Sequence, residues 1–139
     1  MKVSGSILMV AALGIAVLAL IFNCQTDGKA LVLANGRQVP MKCYYTAMAE
    51  VATAGSLLVV GALLALSKQK ESRRNLGIMG IVLGIAAMLF PTVLIGVCAD
   101  HAASCNLIMR PAMLFIGAIV LVTSSMPLFG SRLGAEVQA

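Results

Sequence analysis

Tryptophan is absent, aromatic residues make up only 4% of the chain, and charged residues only 11%. So few charges, against 60% hydrophobic residues, exclude a soluble domain of 139 residues, which could not hide that much apolar surface. The solvent must be lipid. Without tryptophan, interfacial anchoring falls to Tyr44, Tyr45, Phe22, Phe129 and the flanking basic residues. There is one histidine and no Cys-x-x-Cys. No nucleophile–base pair, phosphate loop or carboxylate dyad is visible, so the chain is expected to be non-enzymatic and to need no cofactor. The net charge of +5 brings neither a nucleic-acid fold nor stacking aromatics with it, so no nucleic-acid partner is expected.

What is present is apolar length. Four stretches, residues 3–23, 46–67, 76–97 and 106–130, are each long enough to cross a hydrocarbon layer of ~30 Å. The expected architecture is all-α: one domain over 1–139, a bundle of four transmembrane helices. The first stretch is read as a span and not a secretion signal, because no clear cleavage site ends it. Thirteen glycines and many alanines favour close helix crossings. Gly77, Gly80 and Gly84 share a face of the third helix, and Gly55 and Gly61 thin the second. Such faces pack within the bundle or receive a partner's helix.

Orientation follows from the basic residues. Lys2, Lys68, Lys70, Arg73, Arg74 and Arg132 fall on one side; Lys29, Arg37 and Lys42 fall on the other, with Arg110 near that face. The positive-inside rule puts both termini and the Lys68–Arg74 turn in the cytoplasm, in a multi-pass protein of the cell membrane. The longer outer loop contains Ala34-Asn35-Gly36 between two short apolar runs, which predicts a β-hairpin over 29–39.

The four cysteines, Cys24, Cys43, Cys98 and Cys105, sit at the outer ends of the stretches. Outside the cytoplasm an even number of cysteines usually pairs. Loop geometry favours Cys24–Cys43 and Cys98–Cys105 as clasps, with pairing across loops as the competitor. Redox exchange is the sharper reading of the same residues. Cys98, His101 and Cys105, with Asp100 beside them, form a weak zinc-like set that lacks a further ligand. Met41, Met48, Met109 and Met113 lie near the same face and would suit copper, although methionine in a membrane helix is ordinarily packing.

Glu50 lies about one turn inside the second helix, where an unpaired carboxylate is costly. Arg110 is at a similar depth at the start of the fourth, so a Glu50–Arg110 ion pair or shared polar network is expected. Pro91 should kink the third helix, with Thr92 helping to satisfy the local backbone. Pro111 falls where a missing N–H is cheap, and Pro127 should help end the last helix.

Two strings are distinctive: Cys43-Tyr44-Tyr45-Thr46-Ala47-Met48-Ala49-Glu50, and Phe90-Pro91-Thr92-Val93-Leu94-Ile95-Gly96-Val97-Cys98 with Cys105-Asn106 and Arg110-Pro111-Ala112 after it. They resemble a family of small four-helix prokaryotic membrane proteins classed as a domain of unknown function. The resemblance covers about residues 3 to 130, and this chain departs from it in its longer first loop. It implies a setting beside ABC-type exporter subunits and no activity. The leading expectation is therefore an accessory or structural subunit that assembles with a membrane partner, an ABC-type permease, or with itself. The other readings are a membrane thiol–disulfide oxidoreductase of the DsbB or vitamin K epoxide reductase type, and an oligomeric channel or small transporter.

Overall fold

The structure is a computed structural model that describes residues 2–22, 28, 31–97 and 105–136. Helix α1 spans Lys2–Ile21, strands β1 and β2 span Leu31–Val32 and Gln38–Val39, and helices α2, α3 and α4 span Lys42–Leu66, Lys70–Leu89 and Arg110–Glu136. Single π-helical turns follow α3 at Phe90–Leu94 and precede α4 at Cys105–Met109. The segments Val3–Ile21, Lys42–Leu66, Lys70–Leu94 and Asn106–Leu128 have mean hydropathies of 1.9 to 2.4 and are long enough to span a bilayer. The chain is a multi-pass membrane protein.

Packing is by antiparallel pairs. Helix α1 lies most closely on α2 and α3 on α4, while α2–α3 and α1–α4 contacts close the ring. Helices α2 and α4 therefore occupy opposite corners. Glycines set the close crossings. A Cβ placed at Gly5 would lie 2.8 Å from the Gly61 carbonyl oxygen, so only glycine fits where α1 meets α2. Gly77, Gly80 and Gly84 all face α4, around Ser124, Pro127 and Val120. That face is used inside the bundle. Gly55 faces outward with nothing near it.

Three boundaries differ from the sequence expectation. Helix α2 begins at Lys42, so Cys43, Tyr44 and Tyr45 are helical. Helix α3 begins at Lys70, inside the charged turn. Glu71 in its first turn complements the helix dipole, Arg73 Nε donates to the Ser67 carbonyl at 2.8 Å, and the hydroxyls of Ser67 and Ser72 meet at 2.9 Å. Helix α4 continues through Pro127 to Glu136. The ring of Pro127 is accommodated beside Gly77, where a Cβ would already be 3.1 Å from its Cγ. A proline inside a membrane helix is tolerated when a neighbouring helix packs around it.

At Pro91 the helix changes form, and Thr92 helps satisfy the local backbone as expected. The α-helical ladder stops at Leu89, the chain winds into a π turn, and Thr92 Oγ1 donates to the Met88 carbonyl at 2.7 Å. The Ile95 and Gly96 N–H groups both reach the Phe90 carbonyl, at 3.3 and 3.0 Å, and Gly96 takes φ +79 to do so. The hairpin is present but short. Leu31 pairs with Val39 and Val32 with Gln38, and Gly36 at φ +73 closes the turn on the Leu33 carbonyl. Residues 29–30 lie outside the described residues.

Candidate functional site

Helix α2 turns one stripe inward: Cys43, Thr46, Ala47, Glu50, Thr53, Ala54 and Leu57, at spacings of three and four. Most of this stripe is small. Thr46 and Thr53, one turn to either side of Glu50, commit their hydroxyls to carbonyls. Thr53 Oγ1 donates to Ala49 of its own helix at 2.9 Å, and Thr46 Oγ1 crosses to Gly96 at 2.7 Å. The second bond ties the segment that follows α3 and its π turn to α2. It also joins the two distinctive strings, since Thr46 belongs to one and Gly96 to the other. Thr46→Val should leave the Gly96 carbonyl without that donor and cost about 1–2 kcal/mol in reversible unfolding, with a threonine-like serine restoring most of it.

Glu50 is 0% exposed, and among the described residues neither carboxylate oxygen has a hydrogen-bond partner. The expected Glu50–Arg110 pair is not formed. Arg110 is exposed. Its neighbour Met109 and the residue one turn on, Met113, are the ones that face the core, both fully buried. Successive residues on a helix are ~100° apart, so Met109 inward sends Arg110 toward the rim. Met48, by contrast, is 40% exposed, so only part of the expected methionine face is interior.

Cys43 is buried in the first turn of α2. Cys24, Cys98, Asp100 and His101 lie outside the described residues, as does the side chain of Cys105. The expected clasps and the weak zinc-like set therefore fall mostly outside them. Among the described residues there is no disulfide, and no group of three His, Cys, Asp or Glu side chains gathers.

Ser124 was not singled out by sequence reasoning. Its hydroxyl is buried against Gly80 with no hydrogen-bond partner among the described residues. Serine at a helix interior next to a glycine stripe is the only sequence signal it carries.

These features define an integral membrane four-helix bundle that, among the described residues, buries one carboxylate near one end of its interior. Residues 3–130 match the family described as a domain of unknown function, DUF4418, and the chain belongs to that family. No curated protein and no solved structure matches it.

Proposed function

We propose that the chain is a non-enzymatic assembly subunit of the cell membrane, which binds a partner membrane protein through its outward helix faces. The carrying observation is a lengthwise groove of about 650 Å³ between α1 and α4. Val3, Ile7, Val10 and Gly14 line it from α1, and Ile116 and Ile119 from α4. From Val3 to Gly14 the groove runs ~16 Å along the helix, about three turns of a docking helix. Its walls are branched aliphatic residues with a glycine between them, which suits van der Waals packing of one membrane helix against another.

The resemblance supplies an ABC-type permease as the partner, and a second copy of this chain as the other occupant. In this reading both termini are cytoplasmic, following the basic residues. The clasps Cys24–Cys43 and Cys98–Cys105 brace the outer loops. The buried position of Cys43 favours a structural over an exchanging role, since reactive thiols are partly exposed.

The test is a photo-crosslinker at Val10 in native membranes, with Gly14→Phe as the blocking variant. A Cβ at Gly14 meets only Ile116 Cδ1, at 3.6 Å, so a ring there fills the groove and leaves the bundle intact. The expected result is a crosslink to a permease or to a second copy. It should fall roughly tenfold in Gly14→Phe, equivalent to losing about 1.4 kcal/mol of association. Adducts to lipid alone, in a chain that stays monomeric, would sink the reading.

A further inference from the structure

One polar group in the interior is satisfied neither by the packing around it nor by assembly through the outer faces: the Glu50 carboxylate. Its position follows from a single contact. Gly80 of α3 lies against Ser124 of α4, and a Cβ placed on it would be 4.0 Å from Val60 Cγ1 of α2. Val60 and Ser124 are therefore level in the bundle. Helices α2 and α4 are alternate members of an up-and-down bundle and run the same way. Toward their N-terminal ends, Glu50 lies ten residues from Val60 and Met113 eleven from Ser124. At 1.5 Å per residue both climbs are about 15–17 Å, so Glu50 and Met113 share a height. Met109 is one turn beyond, on the same face as Met113. All three side chains are fully buried, and they come from opposite corners of the ring.

A buried carboxylate with two unpartnered oxygens is an incomplete arrangement. The buried methionines at its height cannot complete it alone. Thioether sulfur is a weak acceptor and donates nothing to a carboxylate. A cation satisfies both sides at once. The sulfurs select a soft ion, because thioethers bind copper(I)-type metals and ignore hard ones. Charge selects a monovalent ion: Glu50 is the only acidic side chain among the described buried residues, and a divalent ion would leave one positive charge uncompensated in a low-dielectric interior. Room is supplied by the methionines themselves, whose three rotatable bonds let them reform around an ion.

We propose that Glu50, Met109 and Met113 bind one soft monovalent cation of the copper(I) class within the bundle. Glu50 neutralises the ion and the two thioethers hold it. The Thr46–Gly96 hydrogen bond closes the packing one turn further out.

The proposal is tested on the full chain in nanodiscs with methyl-labelled methionine, using silver(I) as a redox-inert probe. Methyl resonances report thioether coordination independently of the cysteines. One equivalent of silver beyond that taken up by free thiols should shift the Met109 and Met113 signals and leave Met48, Met79 and Met126, all exposed, in place. Glu50→Gln and Met113→Leu, both close in volume to the native side chains, should each weaken binding at least tenfold. Sodium at the same concentration should shift nothing. Three results would overturn the proposal: core methionine signals that ignore stoichiometric silver, equal affinity in Glu50→Gln, or the same shifts with sodium. Loss of the groove crosslink described above would leave this result untouched, so the two readings fail separately.

Discussion

Gly5→Ala should destabilise the bundle by about 1–3 kcal/mol in a reversible mixed-micelle unfolding titration, and Gly5→Leu should cost more. The cause is the hardness of the surroundings. An added Cβ at Gly5 would meet the Gly61 carbonyl oxygen at 2.8 Å, the Ala65 Cβ at 2.8 Å and the Ala65 nitrogen at 2.9 Å. Two of these are backbone atoms of a neighbouring helix and cannot rotate away. The whole of α1 must shift, and with it the stripe Leu8, Ala12, Ile15 and Ala19 that it buries. The reverse substitution at Gly61 meets Met9 Cγ at 3.1 Å and Gly5 oxygen at 3.2 Å, a looser fit with one flexible neighbour. Gly61→Ala should therefore cost less than Gly5→Ala. Gly55→Ala, with nothing within 4 Å, should stay within about 0.5 kcal/mol of wild type. Equal stabilities for the variants at Gly5 and Gly55 would mean that α1 does not cross α2 at this point.

The four helices were legible because composition and length alone demand them. Their ends were less so. A cysteine next to a polar loop reads as loop, yet Cys43 is helical because α2 needs no special cap beyond extended Met41. The run from Lys70 to Arg74 reads as a turn, yet its residues are good helix formers that bond back to Ser67. Pro127 reads as a terminator, yet Gly77 on the neighbouring helix makes space for its ring. The first two ends were set by local bonds that composition does not reveal, and the third by a contact that lies far off in sequence.

The site divides in the same way. Glu50 was visible as the one acidic residue inside a span. Its surroundings were not visible, since α4 is apolar on every face and no hydrophobic stripe announces which way it turns. Depth matched Arg110 to Glu50; rotation about α4 separated them and brought Met109 and Met113 inward instead. The glycine faces were equally ambiguous until their partners were known. Gly77, Gly80 and Gly84 are filled by α4, while Gly14 looks into the open groove.

Glu50→Leu should make the metal-free protein more stable, by about 1–3 kcal/mol in the same unfolding titration with a chelator present. Leucine fills nearly the same volume and removes two buried oxygens that have no partner. Replacing an unsatisfied buried polar group by an apolar one of similar shape is the usual route to such a gain. Silver should then narrow or reverse the difference. A ligand present at ~100 times its dissociation constant stabilises the folded state by about 2.7 kcal/mol, a gain open to wild type and closed to Glu50→Leu. The two unfolding curves are expected to converge or cross as silver is added, and Met113→Leu, which keeps the carboxylate, should start near wild type and gain less from silver. If Glu50→Leu is instead less stable than wild type without metal, the carboxylate already holds a partner in the membrane-embedded protein, and the site is a structural polar contact. A residue that costs stability until a specific ion arrives is what a binding site looks like in a core otherwise built from glycine, alanine and aliphatic side chains.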